Sequence, residues 1–308
     1  MTGAATTWRP ARVQDLARQA VRGALGTASR LEEVGVLQAT AEVAVLRLDL
    51  RGAAAPLVLK LAATSTAPAL DLARTAAVMR SAAAAGVPVP AVLAADATGR
   101  LDGVQHLLQE HVAGRRWQAV RPLFDDAGVR AVHAQVAGVL EALATVRPAG
   151  FGELDGAGHV QPVPLADALR RRIALRTRRP AARALAERVV AGHADRLGSE
   201  PAVLSHDDLH HHNVLVDPAS TRLVAVLDWD KAWAGPAASD LARVQFWDDM
   251  TGPGSWPDGG EPGPEDDEVA RLHQLLWCLE HAFPTARHRA DTARLLRSFD
   301  LPVPPDLG

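Results

Sequence analysis

His206-Asp207-Asp208-Leu209-His210-His211-His212-Asn213, followed by the apolar run Val214-Leu215-Val216 and then by Leu227-Asp228-Trp229-Asp230, is the stretch on which the reading of this chain turns. Phosphoryl transfer needs a carboxylate beside the attacking hydroxyl, plus an amide oxygen and a second carboxylate to hold Mg²⁺ against nucleotide phosphates. Asp208, Asn213 and Asp228 supply these three groups. The runs Val214 to Val216 and Leu223 to Leu227 flank Asp217-Pro218-Ala219-Ser220, a turn signal, so two strands are predicted. Their pairing brings Asn213, at the start of one, beside Asp228, at the end of the other.

The stretch resembles the aminoglycoside phosphotransferase and choline kinase-like family, whose pattern is His-Gly-Asp-Leu-His-x-x-Asn, then Ile-Asp-Trp, then Asp-Leu-Ala. The match runs over residues 206–242. The resemblance implies that Asp208 is the catalytic base, that Asn213 and Asp228 hold the metal, and that Asp240 of Asp240-Leu241-Ala242 braces the loop. It gives His206 a supporting place, and Asp230 a place at the metal or against substrate. The fold it implies is α+β, a bilobal protein-kinase-like architecture with a small antiparallel-sheet N-lobe and a larger, mainly helical C-lobe. Mg²⁺ and ATP or GTP follow as cofactor and donor, with a hydroxylated small molecule as acceptor. An antibiotic is the first choice for that acceptor, and a metabolite or sugar the second. Asp207 departs from the pattern, standing where the family usually has Gly.

Composition singles out Lys60. The chain has 33 Lys plus Arg, of which only Lys60 and Lys231 are lysines, so arginine is its default cation. Lys60 closes the strand-like run Leu57-Val58-Leu59, which follows a second run, Val43 to Leu50. A compact ammonium on such a strand suits nucleotide α- and β-phosphates, and a guanidinium is not equivalent to it. Kinase architecture also asks for a Glu on the next helix to hold this lysine. That helix is predicted between Leu70 and the stop Gly86-Val87-Pro88-Val89-Pro90, but Thr75 stands where the Glu is expected, which leaves Asp71, one turn earlier, as the candidate partner. No Gly-x-Gly-x-x-Gly is present, so Gly35 to Thr40 is the candidate phosphate cradle. The apolar strand Val104 to Gln109 leads to a hinge-like Glu110-His111-Val112, whose main chain at Glu110 and Val112 is expected to read the purine edge.

With 308 residues and 48% apolar content, the chain is long enough for one large or two moderate domains. We place the boundary near residue 112, with an N-lobe over 1–112 and a C-lobe over 113–308. Helices are expected over 12–25, 128–146, 165–178, 181–197, 237–248, 267–283 and 286–299. A lone Cys278 excludes an internal disulfide and reads as a buried helix residue. No signal core and no membrane-length apolar run are found, which gives the expectation of a cytoplasmic protein, monomer or homodimer.

A net charge of −3 argues against general nucleic-acid affinity, but the charge is uneven. Residues 170–179 hold six arginines, read as the solvated face of a helix, with an anionic or nucleoside-like substrate as the functional alternative. Residues 248–268 hold eight acids and no Lys or Arg, read as a solvated loop leading into a helix N-terminus, or as an overhang attracting a polycation. Two other classes compete with an active kinase. Clustered His210, His211 and His212 suggest a zinc hydrolase, against which consecutive loop side chains are expected to diverge and Lys60 to be left without a role. Thr75 and the absent glycine motif suggest a catalytically silent nucleotide-binding module, against which Asp208, Asn213 and Asp228 are all retained.

Overall fold

The computed structural model describes residues 8–67, 69–197, 201–251, 264–281 and 285–305. Helix α1 (Pro10–Leu25) buries Val13, Leu16, Ala17, Ala20 and Val21, which recur at helical spacing. This stripe lies on a five-stranded antiparallel sheet built from β1 (Leu31–Ala39), β2 (Val43–Leu50) and β3 (Leu57–Ala63), then, after α2 (Leu72–Ala84), β4 (Val92–Leu101) and β5 (Val104–Glu110). The order across the sheet is β1-β2-β3-β5-β4, so β3 is central. Leu59 and Leu61 are fully buried toward α1, and side chains alternate faces along a strand, so Lys60 between them points to the opposite face. It pairs with Val45 on one side and Leu107 on the other.

Both ends of α2 are fixed by polar chemistry. The Asp71 carboxylate accepts the Arg74 amide at 2.9 Å as N-cap, and the buried Gln105 side chain accepts the Leu72 amide at 2.9 Å while donating to the Leu70 carbonyl at 3.1 Å. At the other end Gly86 takes φ 90°, and Val87 donates back to the Ala82 carbonyl at 3.0 Å before Pro88 and Pro90 prevent continuation.

The rest of the chain comprises β6 (Arg115–Arg116), α3 (Trp117–Val120), α4 (Asp126–Thr145), α5 (Leu165–Arg176), α6 (Pro180–Gly192), α7 (Ala194–Leu197), β7 (Val203–Ser205), β8 (Val214–Asp217), β9 (Arg222–Val226), β10 (Trp233–Gly235), α8 (Ala237–Thr251), α9 (Pro264–Glu280) and α10 (Ala286–Ser298). β8 and β9 form the expected hairpin, with Val214 opposite Val226 and the Asp217 side chain closing the turn onto the Ala219 amide at 3.0 Å. β6 adds to β8, and Gly114 just before it passes so close that a Cβ there would meet Val224 Cγ2 at 2.7 Å. One apolar cluster runs from Leu72, Ala76 and Met79 on α2 through Val132 and Val136 on α4 to Val214, Val226 and Trp229, so packing is continuous across residue 112.

Several expectations needed correction. The helix expected over 181–197 breaks at His193, where φ −127° and ψ 21° end α6 before α7 begins. The β4 strand and the β7–β10 pair were not anticipated, because Val92–Leu101 mixes small and polar residues and the other two are only three residues long. Most of the acidic segment, residues 252–263, lies outside the described residues. Cys278 is buried on α9, and burial pushes its thiol pKa up to about 12. Among the described residues no helix is long and apolar enough to cross a membrane.

Candidate active site

The loop between β7 and β8 is held from below by α8. Asp240 accepts the backbone amides of His206 and Asp207, each at 2.7 Å, and burial raises its pKa. His206 Nδ1 accepts the Asp208 amide at 3.1 Å, so its Nε2 carries the proton and donates to the Leu227 carbonyl at 3.0 Å. One ring thus ties the loop to the end of β9. Asn213 closes the same connection: its carbonyl accepts the Leu227 amide at 2.8 Å and its Nδ2 donates to the Asp208 carbonyl at 2.9 Å. The side-chain oxygen Oδ1 is left as an acceptor, on a residue whose backbone bonds Leu227, the neighbour of Asp228.

Asp228 itself adopts φ 62° and ψ 65°, a left-handed turn that costs about 1 kcal/mol for a residue with a Cβ. The turn into the short helix Trp229–Lys231 aims two carboxylates at β3. Lys60 Nζ lies 3.2 Å from Asp228 Oδ1 and also pairs with Asp230 Oδ2. Burial disfavours the Lys60 ammonium, but Asp230 and Asp228 outweigh it and hold its pKa above the ordinary value. Lys60 in turn lowers the pKa of Asp228, whereas burial leaves that of Asp230 raised.

The expected Lys60–Asp71 pair is not formed. Asp71 is committed to capping α2, and Asp230 takes the place of the missing helix Glu. Thr75, at the position where that Glu was expected, puts its hydroxyl 3.2 Å from Asp230 Oδ1 and 3.1 Å from the Asp71 carbonyl. Arg74 beside it donates to the Asp230 carbonyl at 3.3 Å and pairs with Glu153 at 3.0 Å, which fastens α2 to the C-terminal half.

Asp208 faces two cations, Arg243 Nη1 at 3.1 Å and Lys231 Nζ at 3.4 Å. Burial alone would raise its pKa, but Lys231 and Arg243 hold it well below the usual carboxylate range. Lys231 is shared with Glu280 at 3.3 Å and His281 Nε2 at 3.0 Å. Sequence reading passed over Lys231, although the scarcity of lysine that marked Lys60 marks it equally.

The departure at Asp207 has a structural explanation. Its φ is 55°, the left-handed region that suits Gly and, less well, Asp. Its buried carboxylate is caught between Arg172 on α5 and Arg243 on α8, the latter at 3.2 Å, and these charges overcome burial to hold its pKa at about 2. The arginine run is therefore not wholly a solvated face. Arg170, Arg171, Arg178 and Arg179 are exposed, but Arg172 is buried and pairs with Glu153 and Asp207, and Arg176 is half-buried.

Three further expectations change. Gly35 lies inside β1 opposite Arg47, so 35–39 is ladder and not a phosphate cradle; the turn falls at residues 40–42, where Thr40 Oγ1 accepts the Val43 amide at 3.1 Å. At the hinge the Glu110 amide is committed to the Ala91 carbonyl at 3.0 Å, whereas Val112 makes no backbone hydrogen bond among the described residues. The rings of His210, His211 and His212 gather instead of diverging, with centroids 4.4 to 5.7 Å apart. Burial lowers their pKa values, His210 to about 3 and His211 to about 4, and among the described residues no three His, Cys, Asp or Glu form a metal-binding group.

Asp208, Asp228, Asp230 and Lys231 open into a cavity of about 470 Å³, also lined by Glu42 and Val43, by Ser65, Thr66, Ala67, Ala69 and Leu70, and by the end of α5. A lysine on the central strand of a five-stranded sheet, facing an Asp-bearing loop and a left-handed Asp across a cleft, is the arrangement of a protein-kinase-like phosphotransferase. The profile of the phosphotransferase enzyme family matches residues 36–273, and the chain belongs to that family. Solved structures share the fold. A thermostable mutant of aminoglycoside phosphotransferase APH(4)-Ia, in ternary complex with ADP and hygromycin B, is 20% identical, with 92% of this chain and 96% of that chain covered and a TM-score of 0.66. A candidate aminoglycoside phosphotransferase from Ralstonia eutropha is 17% identical over 92% of this chain and 94% of that one, with a TM-score of 0.63. A candidate fructosamine-3-kinase from Haemophilus somnus is 13% identical over 92% and 96%, also at 0.63. No curated protein matches the chain by sequence.

Proposed function

We propose that this protein transfers the γ-phosphate of ATP or GTP to a hydroxyl of a small molecule. The observation that carries the proposal is the convergence of groups far apart in sequence: Asp208 from the β7–β8 loop and Asp228 from the turn after β9 line one cavity, Lys60 of β3 pairs with Asp228, and Asn213 bonds the Asp208 carbonyl. In this reading residues 1–112 form the nucleotide-binding lobe, with Val112 at the purine edge, and 113–308 carry the catalytic loop and the acceptor site.

The Asn213 Oδ1 left free by its Nδ2 bond and the Asp228 carboxylate are hard oxygen donors, a set suited to Mg²⁺. Bound there, Mg²⁺ supplies charge neutralisation for the nucleotide phosphates. Lys60 adds a second positive charge to the same phosphates. Asp208, fully ionised and hydrogen-bonded, orients the acceptor hydroxyl for in-line attack and takes its proton late, since so acidic a carboxylate is a weak base. Its retention beside Lys60, Asn213 and Asp228 favours an active enzyme over a silent module.

For the acceptor, the hygromycin-bound relative supports a hydroxylated antibiotic and the fructosamine kinase-like relative supports a small metabolite. The deciding experiment measures ADP and GDP release with Mg²⁺ across aminoglycoside, macrolide, nucleoside and sugar acceptors, with Asp208→Asn as control. Acceptor-dependent release that the substitution abolishes is the expected result. Nucleotide binding with no release across the panel would favour the silent module.

A further inference from the structure

One buried cation on the cavity wall is poorly matched by counter-charge. Arg176, in the last turn of α5, lines the cavity that also exposes Asp208, and its side chain is 10% accessible. Its contacts are long: Nη2 is 3.5 Å from the Asp230 carbonyl and 4.0 Å from Glu153, while the buried Nε has no hydrogen-bond partner. Glu153 is already taken by Arg74 and Arg172. A guanidinium offers five donors, and burying it without a close carboxylate is costly. Burial and the neighbouring Arg172 push its pKa down to about 10, the direction expected of a cation short of counter-charge. Arg178, exposed on the same wall, adds a second positive group.

Resting on the phosphotransferase reading above, we propose that the end of α5 is an anion subsite for the acceptor: Arg176 and Arg178 bind a phosphate, sulfate or carboxylate on the molecule whose hydroxyl Asp208 orients. The geometry suits a single small ligand, because Asp208 and Arg176 face one cavity of about 470 Å³. A polycationic amino sugar meets Arg176 and Arg178 as like charges on that wall, so the subsite disfavours an ammonium group there.

The test is calorimetric titration of inorganic phosphate into protein saturated with Mg²⁺ and the non-hydrolysable analogue AMP-PNP, so that nucleotide phosphates already fill their own places. Phosphate is expected to bind, about tenfold more weakly in Arg176→Gln and about threefold more weakly in Arg178→Gln, a surface change that leaves the fold alone. AMP-PNP affinity is expected to be the same in all three proteins. No phosphate binding to the loaded wild type, or wild-type binding in both variants, overturns the subsite. So does loss of AMP-PNP affinity in Arg176→Gln with phosphate competing for the same place, because the guanidinium would then serve the nucleotide. Failure of the phosphotransferase reading is seen separately, as absence of AMP-PNP binding in the preliminary titration.

Discussion

Thr75 Oγ1 lies 3.2 Å from Asp230 Oδ1, and the other oxygen of that carboxylate holds Lys60. A residue that looked like a defect in the lysine clamp therefore supports a substitute for it. The carboxylate comes from the segment after Asp228 instead of from α2, and the helix contributes a hydroxyl.

The hydroxyl is what α2 adds, so Thr75→Val is expected to raise nucleotide KM about fivefold with kcat less affected, and Thr75→Ser to restore it. The magnitude follows from losing one hydrogen bond to a charged group, shared here with the Asp71 carbonyl at 3.1 Å. Steady-state kinetics at varied nucleotide check it, and an unchanged KM in Thr75→Val would remove Thr75 from the clamp.

Asp208 and Asp228 should separate chemistry from binding. Asp208→Asn is expected to lower kcat by about 10²- to 10⁴-fold while nucleotide affinity holds. Asp228→Ala is expected to abolish the Mg²⁺-dependent part of nucleotide binding, read by titration with and without Mg²⁺. Wild-type turnover in Asp208→Asn would sink the assignment of that residue.

Asp207→Gly restores the residue usual in the family and relieves a left-handed Asp, a gain of about 1 kcal/mol. It also takes from Arg172 and Arg243, both buried, the carboxylate they share, leaving them only Glu153 and Asp208 respectively, a loss of about 3–5 kcal/mol. The net expectation is destabilisation by about 2–4 kcal/mol, seen as a Tm lower by about 5–10 °C. A Tm equal to or above wild type would show that the arginines do not depend on this carboxylate.

His210 and His273 are held neutral by burial, with pKa values of about 3 and about 4 against 6.5 when exposed. Below pH 6.5 the unfolded chain binds protons that the native state refuses, so stability should fall as pH drops from 6.5 toward 4 and be insensitive to these groups above 6.5. Asp207 extends the loss at lower pH, because its folded pKa is about 2 against 3.8. Denaturant midpoints measured across this range test the slope, and His273→Gln should flatten it.

Much of the site was legible because its residues are close in sequence and constrained by local geometry. Asp208, Asn213 and Asp228 flank one hairpin, and hairpin register follows from turn chemistry and apolar runs. Lys60 was legible through rarity and strand position. The purine-reading and phosphate-covering segments were harder, because main-chain contacts leave no mark on residue type: Gly35 proved to be strand, and the Glu110 amide was already engaged.

By itself the sequence determined the α+β architecture, the catalytic hairpin and the lysine-bearing strand, since strand periodicity, turn residues and helix stops act over a few neighbours. Only the tertiary structure decided who pairs with whom across distance. It gave Lys60 to Asp230 instead of Asp71, turned Arg172 inward onto Asp207, placed Lys231 and Arg243 against Asp208, and left Arg176 facing the cleft. Charge carries no directional code in a linear chain, and a buried ion finds its partner only where packing brings distant elements together, as α5 and α8 meet at Asp207 and β3 meets the turn after β9 at Lys60.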